Sequence, residues 1–274
     1  MKKIALSLLM ASVIVLGSEE GTSDSTTYII NQSTVNDVVN STNRVDFATS
    51  KERFSAGVEL VYTENVTIVN IPLSANIGSH YGVEANIPVV KATDPFTGDE
   101  NTGLGDISVG GNYHFGKPSQ KFGNNITTFI YKTTTADEKK GLGAQEPAYT
   151  LSHRITKDIT HTFQGNALVS YTINDEKDAG NAYMLMVGGS RPCMLNSNIR
   201  TNVKLTYFHS DSHDWFGFDV GEVNSADFWI GWNSKKIIKD VPLGFGIKIP
   251  LMNEVDGKSK DETMLFYLSA SNFF

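Results

Sequence analysis

Apolar and polar residues alternate with a period of two along much of this chain. One segment displays both faces, with Ile199, Val203, Leu205 and Tyr207 on one and Arg200, Asn202, Lys204 and Thr206 on the other. Similar segments of about ten residues, separated by clusters of turn-forming residues, continue from Phe54 to the last residue. Because this alternation suits a strand with lipid on one face and a polar lumen on the other, it predicts an all-β protein that spans a membrane.

We predict about twelve such strands, at residues 54–62, 66–77, 81–91, 105–115, 124–135, 147–156, 161–173, 181–190, 198–209, 225–234, 241–251 and 263–274. An even number of antiparallel strands is typical of a closed bacterial transmembrane β-barrel. The predicted connections alternate between compact turns such as Gly78–His80 and Lys235–Asp240 and longer loops such as Ala92–Leu104 and Ser210–Asn224. Since periplasmic turns are short and extracellular loops are long, both ends of the barrel chain are expected in the periplasm.

Aromatic residues of the apolar parity collect near the predicted strand ends. Those expected at the extracellular end are Tyr62, Tyr131, Tyr149, Tyr171, Tyr183, Tyr207 and Phe228, and those expected at the periplasmic end are Tyr81, Phe115, Phe163, Trp232 and Phe274. Aromatic side chains are favoured at membrane–water interfaces because the ring is apolar and a polar tip can stay hydrated. The positions therefore favour a membrane barrel over a soluble sandwich, in which two-faced strands also occur.

The first residues have the order of a secretory signal peptide. Lys2 and Lys3 precede the apolar run Ile4–Leu16, and the small residues Gly17 and Ser18 follow it. The run is too short to span a bilayer as a helix. We therefore expect residues 1–18 to be a signal peptide and the protein to reach the cell outer membrane of a Gram-negative bacterium.

A segment rich in Ser, Thr and Asn, residues 19–53, lies between the signal and the first strand. Two fates stay open for it, a periplasmic tail and a plug that folds into the lumen. The barrel is expected to occupy residues 54–274. Its last strand ends on Phe274, and this ending resembles the C-terminal signal by which outer-membrane proteins reach the barrel-assembly machinery.

Composition narrows the classes of protein that fit. The formal net charge is −7, which argues against a nucleic-acid partner because phosphate binding needs a basic surface. The single Cys193 cannot form an intrachain disulfide. After the signal, no apolar run is long enough for a transmembrane helix. No cofactor is expected, and the expected partners are outer-membrane lipid, lipopolysaccharide and a small-molecule solute.

Two consecutive stretches carry a family resemblance. Gly82–Lys91 and Thr102–Phe115, joined by a variable loop, include the hairpin sequence Gly103-Leu-Gly-Asp106. They resemble the paired strands of the outer-membrane transporter family labelled for the MetA pathway of phenol degradation. The resemblance implies a closed barrel that passes small, often aromatic or hydrophobic, compounds. On physical grounds alone, the glycines relieve crowding at a loop-to-strand junction, and Asp106 can accept hydrogen bonds from loop amides or pair with an inward cation.

Charged and titratable residues of the polar parity are expected to line the lumen: Glu59, Glu84, Asp106, His114, Lys132, Arg154, Arg200, Lys204, Asp227 and Lys248. Their mixed signs suggest paired charges across the interior. Two compatible interpretations follow, a salt-bridged filling that stabilises the barrel and a polar constriction that selects solutes. With about twelve strands, the passage would be narrow and easily plugged.

Enzymatic and metal-binding alternatives have weaker support. Outer-membrane lipid-modifying enzymes look similar in size and use a His-x-Ser pair, but Ile155 and Asp211 stand two positions after His153 and His209. The stretch His209–Asp214 is either a hydrated loop or a metal site formed by His209, Asp211 and His213. We expect a passive channel for small hydrophobic or aromatic solutes, without catalytic or metal-binding residues. The alternative is a structural or adhesion-type barrel that works through its loops.

Overall fold

The computed structural model describes residues 54–62, 66–93, 100–117, 119–136, 142, 147–174, 180–194, 198–215, 218–238, 241–259 and 264–273. The predicted signal peptide, the segment 19–53 and Phe274 lie outside these residues, so what the sequence suggests for them stays a prediction. Where it is described, the chain contains no helix long and apolar enough to cross a membrane.

The described residues are almost entirely strands and turns. The strands are β1 (Phe54–Tyr62), β2 (Val66–Ile77), β3 (Tyr81–Thr93), β4 (Glu100–Leu104), β5 (Ser108–Gly116), β6 (Asn124–Lys132), β7 (Ala148–Asp158), β8 (Gln164–Asn174), β9 (Ala182–Pro192), β10 (Ile199–Ser210), β11 (His213–Trp215), β12 (Phe218–Val220), β13 (Val223–Ile238), β14 (Val241–Val255), β15 (Lys258–Ser259) and β16 (Leu265–Phe273).

Twelve of these strands close into one antiparallel barrel. Around the barrel they follow the order β1, β2, β3, β5, β6, β7, β8, β9, β10, β13, β14 and β16. β16 then pairs with β1, so that Leu268 lies opposite Leu60 and Ala270 opposite Val58. Because the first strand pairs with the last, the barrel has no open edge. The backbone N–H and C=O groups of every strand can therefore form hydrogen bonds within lipid. The predicted transmembrane barrel and its strand number are confirmed.

The two ends of the barrel differ, and we name them by their connections. The turn end is where β1 begins and β2 and β3 are joined by Gly78–His80. Gly78 has a φ of 75° there, a left-handed conformation that glycine adopts without steric cost. The loop end is the opposite one, where the longer connections lie. In the predicted orientation the turn end faces the periplasm.

The barrel turns apolar side chains outward. On β10, Val203 and Leu205 are 38% and 46% exposed, whereas the inward Thr206 is 2% exposed. Other exposed apolar residues alternate in the same way along their strands, including Val83, Val109, Leu151, Val169, Leu185 and Val187. So large an apolar surface on the outside of a closed barrel is what a lipid environment requires.

Aromatic rings from neighbouring strands meet on this outer surface. At the loop end, the ring centroids of Tyr131 and Tyr149 are 5.2 Å apart. At the turn end, those of Tyr81 and Tyr113 are also 5.2 Å apart. Rings in two belts of this kind anchor a barrel at the two membrane–water interfaces.

Several segments predicted as loops or turns form strands, and other strand ends are shifted by a few residues. Between the predicted strands 241–251 and 263–274, β14 continues to Val255 and Lys258–Ser259 forms β15. Glu100–Leu104, predicted as part of a loop, forms β4, which pairs with the loop-end half of β3 while β5 pairs with the other half. The predicted loop between β10 and β13 contains the hairpin of β11 and β12. Residues 235–238, predicted as part of a turn, continue β13. In each place, pairing with a neighbouring strand outweighs weak local preferences.

Candidate functional site

The interior face of the barrel is the candidate site, because a solute that crosses the barrel must contact it. The strand register places nine of the ten residues predicted for the lumen on inward faces. The tenth, Asp106, lies in the connection between β4 and β5. Among the ten, Glu59, Asp106, His114, Asp227 and Lys248 are buried, and Glu84, Lys132, Arg154, Arg200 and Lys204 are half-buried. That these side chains line a path for solutes stays a prediction.

Two of the predicted residues form an ion pair on the inner wall. Lys248 Nζ lies 3.2 Å from Asp227 Oδ1, and the side chains are 2% and 1% exposed. A β-bulge between Ala226 and Asp227 brings Asp227 opposite Pro250 and leaves Lys248 opposite Trp229. Because proline cannot donate to the ladder, a bulge is one of the few places in a strand pair that accommodates it. The pairing compensates two charges that are withdrawn from water.

Glu84 belongs to a chain of polar contacts near the turn end. Asn112 Nδ2 donates a hydrogen bond to Glu84 Oε2 at 3.4 Å, and the amide oxygen of Asn112 contacts His114 Nε2. Gly82 lies opposite Asn112. A Cβ at this glycine would approach the Asn112 amide oxygen to 2.5 Å, so the absence of a side chain makes room for the network.

Three basic residues lie on β7 and β10, and together we call them the basic wall: Arg154, Arg200 and Lys204. Arg200 Nη2 donates a hydrogen bond to Ser190 Oγ at 2.8 Å. Lys204 lies opposite Gly188, where a Cβ would come within 2.9 Å of Lys204 Cγ. The basic wall therefore gathers three basic side chains on inward positions of two strands that are separated by β8 and β9.

Positive and negative side chains are separated around the barrel. Glu59 and Glu84 project inward from β1 and β3, whereas the basic wall belongs to β7 and β10. Going round from β3, the strands β5, β6, β7, β8 and β9 come before β10, so β3 and β10 lie on opposite sides. The interior thus combines one adjacent ion pair with carboxyl-bearing and basic side chains on facing walls.

The loop end of the interior is apolar, and sequence reasoning missed this feature. The buried apolar side chains form one group, here called the apolar cluster: Val61, Val66, Ile68, Val90, Ala92, Leu142, Leu168, Ala182, Met184, Met186, Phe208, Val223, Trp229, Val255, Leu265 and Tyr267. A signal for it exists in the sequence, since Leu60-Val61 and Val89-Val90 put apolar residues on both faces of a strand. The prediction of a polar lumen therefore applies mainly to the half of the interior nearer the turn end.

The Gly103–Asp106 segment joins β4 to β5 along one edge of β3, so it is not the hairpin that the sequence suggested. It is closely packed. A Cβ at Gly105 would lie 2.9 Å from Val90 Cγ2, so a larger residue would press on the apolar cluster. Asp106 Oδ1 accepts a hydrogen bond from the backbone N–H of Ala136 at 3.1 Å. This hydrogen bond from a loop amide is one of the two roles that the sequence allowed for Asp106. The motif fixes the base of a loop and needs no ligand to explain it.

The stretch around His209 forms a hydrogen-bonded cluster on the outer surface at the loop end. His209 Nδ1 lies 3.0 Å from Asn224 Oδ1, and His209 Nε2 lies 3.3 Å from Asp211 Oδ1. The imidazole also stacks on Tyr183, with 4.8 Å between ring centroids. Across the described ranges, no three His, Cys, Asp or Glu residues form a group able to hold a metal ion. These contacts join β9, β10 and β13.

A closed antiparallel wall with an apolar outer face, two aromatic belts and a charged interior defines a β-barrel of the outer-membrane type. A family model described as the MetA-pathway of phenol degradation matches residues 31–236. The chain belongs to this family, as its hairpin sequence suggested.

Three solved structures illustrate how widely the fold is shared. An outer membrane channel from Pseudomonas putida F1 has a TM-score of 0.65 and 11% identity, covering 85% of this chain and 99% of the other. The KdgM porin has a TM-score of 0.54 and 9% identity, with 80% and 99% covered. The NanC porin has a TM-score of 0.54 and 9% identity, with 81% and 99% covered. No curated protein matches the sequence significantly.

Proposed function

We propose that this protein is a passive channel in the outer membrane of a Gram-negative bacterium and that it admits small hydrophobic or aromatic solutes. The observation that carries the proposal is the apolar cluster on the inner wall at the loop end. The interior of a porin that serves water and ions is polar. Met184, Met186 and Phe208 are 2%, 3% and 3% exposed, and they would present polarizable and aromatic surface to an apolar solute that displaces this packing.

The distribution of polar residues suggests a direction for release. Nearer the turn end the inner wall carries His114, Glu84, Arg154 and Arg200. A solute that leaves the apolar cluster would therefore meet a polar surface to which it binds weakly, and would pass on toward the periplasm. The structural neighbours are described as an outer membrane channel and a porin, and the family description names a pathway of phenol degradation; both support the proposal.

A structural or adhesion-type barrel is the second candidate, and one observation favours it. Ile68, Leu265 and Val61 in the apolar cluster are each only 1% exposed, as in a packed core. A barrel with so well packed an interior could act through its loops alone.

A lipid-modifying enzyme is the third class, and we propose no catalytic residue for it. Release of fatty acid from lipid substrates would identify such an activity.

Solute flux separates these functions. We would reconstitute the protein in vesicles that carry lipopolysaccharide in the outer leaflet and compare entry of an aromatic alcohol with entry of a sugar of similar size. If the proposal is right, the aromatic alcohol enters vesicles with protein faster than the sugar does. It also enters them faster than it enters vesicles without protein. If neither solute enters faster than it enters vesicles without protein, the protein is not a channel for them. If both solutes enter at the same rate, the proposed class of solute is wrong.

A matched pair of variants tests whether the apolar cluster is responsible. Phe208 is 3% exposed on the inner face of β10, whereas Phe228 lies on the outer face of β13, opposite Leu205. Phe208→Ala should reduce the preference for the aromatic solute over the sugar, because it removes an aromatic surface from the path. Phe228→Ala removes the same ring from the lipid side and should leave the preference unchanged.

A further inference from the structure

His209 lies on the outer face of β10 at the loop end, next to Tyr207 on that face. In the strand register it stands between Tyr183 of β9 and Asn224 of β13. Its imidazole stacks on Tyr183, with 4.8 Å between ring centroids, and its side chain is 17% exposed. The ring is therefore packed on one side and still reaches water at the rim of the barrel.

Both ring nitrogens of His209 face oxygen atoms that only accept hydrogen bonds. Nδ1 lies 3.0 Å from Asn224 Oδ1, and Nε2 lies 3.3 Å from Asp211 Oδ1. A neutral imidazole has one N–H and one lone pair, so it can donate to only one of these oxygens, whereas an imidazolium donates to both. The arrangement therefore fits the protonated form of His209.

The orientation of the Asn224 amide is fixed by its other neighbours. Asn224 Nδ2 donates a hydrogen bond to Glu222 Oε1 at 2.9 Å, and the Tyr207 hydroxyl donates one to Asn224 Oδ1 at 2.8 Å. If the amide were turned round, its oxygen would face the Glu222 carboxylate. The amide oxygen therefore stays toward His209, and an unprotonated Nδ1 would present a lone pair to it.

The two carboxylates beside His209 stand at the two ends of the connection between β10 and β13. Asp211 follows β10, and its backbone N–H donates a hydrogen bond to Asn181 O at 2.8 Å. Glu222 precedes β13; its Oε1 lies 3.6 Å from His209 Nδ1, and its backbone N–H donates to Asp256 Oδ1 at 2.9 Å. His209 therefore joins both ends of the connection, which are tied in turn to the ends of β9 and β14.

We propose that His209, Asp211, Glu222 and Asn224 form a pH-sensitive latch at the loop-end rim of the barrel. The imidazolium holds the two ends of the connection together. When it loses its proton, a ring nitrogen faces an acceptor oxygen with a lone pair, and the attraction to both carboxylates disappears. The latch is thus closed at lower pH and opens as the pH rises through the range in which histidine titrates. This inference concerns the rim and does not rest on the proposed channel function.

Other titratable groups face His209 from each neighbouring element. They are Tyr183 on β9, Tyr207 on β10, Asp211 and Glu222 in the connection, Glu254 on β14 and Asp256 directly after β14. As free side chains, carboxylic acids and phenols change charge well below and well above the histidine range. Replacing the histidine itself is the direct way to assign a response to it.

Electron spin resonance of a nitroxide at position 212 tests the latch, because Ser212 follows Asp211 and is exposed. The label is attached to Ser212→Cys in a Cys193→Ser background, which removes the only native thiol. The full-length protein is then measured in lipid vesicles. We expect the ratio of mobile to restricted label to be about tenfold higher at about pH 8.5 than at about pH 5.5, which corresponds to the loss of one charged hydrogen bond.

Three variants assign the response to the proposed groups. His209→Phe keeps a ring against Tyr183 but cannot carry the proton, so the label should be mobile at both pH values. Asp211→Asn keeps an acceptor but removes a charge that favours the imidazolium, so the midpoint of the response should move to lower pH. His161→Phe replaces an exposed histidine at the turn end and should leave the response unchanged. Unheated gel mobility shows that each variant is folded.

Several results would overturn the latch. They are label mobility that does not change with pH, a pH response that persists in His209→Phe, a midpoint that Asp211→Asn does not move, and loss of the response in His161→Phe. The label reports on the rim whether or not the barrel conducts. The flux experiment above therefore decides the channel function separately.

Discussion

Lys248 and Asp227 lie 3.2 Å apart on adjacent strands of the barrel, and both side chains are almost completely withdrawn from solvent. They are 21 positions apart in the sequence, and a β-bulge is needed to bring them together. A buried ion pair adds little net stability compared with an apolar pair, but loss of one partner leaves a charge in a medium that solvates it poorly.

Removing both partners should therefore cost less than the two single losses added together. We expect Asp227→Asn or Lys248→Met alone to lower the free energy of unfolding by about 3–5 kcal/mol. The double variant should lose clearly less than the sum of the two losses. Urea titration of the protein in lipid vesicles measures all three, and strictly additive losses would contradict the ion pair.

The outward face of β10 should be intolerant of charge. Leu205 is 46% exposed on that face, and Leu205→Arg should cost roughly 2–4 kcal/mol if the residue lies near the bilayer midplane. Asn202→Arg places the same side chain on the inner face of the same strand, and its effect should be small by comparison. Equal losses of unfolding free energy for the two variants would mean that the inner and outer faces are assigned wrongly.

The Gly103–Asp106 segment should not tolerate even one added methyl group. At Gly105 a Cβ would meet Val90 Cγ2 at 2.9 Å and Pro88 Cγ at 3.0 Å. Gly105→Ala should therefore destabilise the barrel by about 1–3 kcal/mol through overpacking. At Gly111 the atom nearest to an added Cβ would be 3.7 Å away, so Gly111→Ala is the matched control. An equal loss of unfolding free energy in the two variants would disprove the packing explanation.

Much of the wall could be predicted because each strand carries its own signal. The alternation along β10, for example, separates Leu205 from Thr206 without knowledge of any other strand. The apolar cluster could not be predicted in this way, since an inward apolar residue such as Met184 has the same pattern whether it faces a core or a passage. The Asp227–Lys248 pair and the placement of carboxyl and basic side chains on facing walls depend on register and strand order, which no single segment encodes.

The basic wall should control ion selectivity. Replacing Arg200 and Lys204 together by Gln removes two inward cations from one strand, so the permeability ratio should shift toward cations. Reversal potentials measured under a salt gradient report this ratio. A folded, conducting variant with an unchanged reversal potential would mean that these residues do not face the ion path.

Single-channel recording in planar bilayers tests most directly the central claim that this barrel is a channel. The full-length protein and a variant that lacks residues 19–53 would be recorded side by side, with unheated gel mobility to show that both are folded. We predict discrete current steps, with a larger conductance in the shortened variant if residues 19–53 plug the lumen. Folded protein that gives no current steps in either form would contradict the channel and favour a structural barrel.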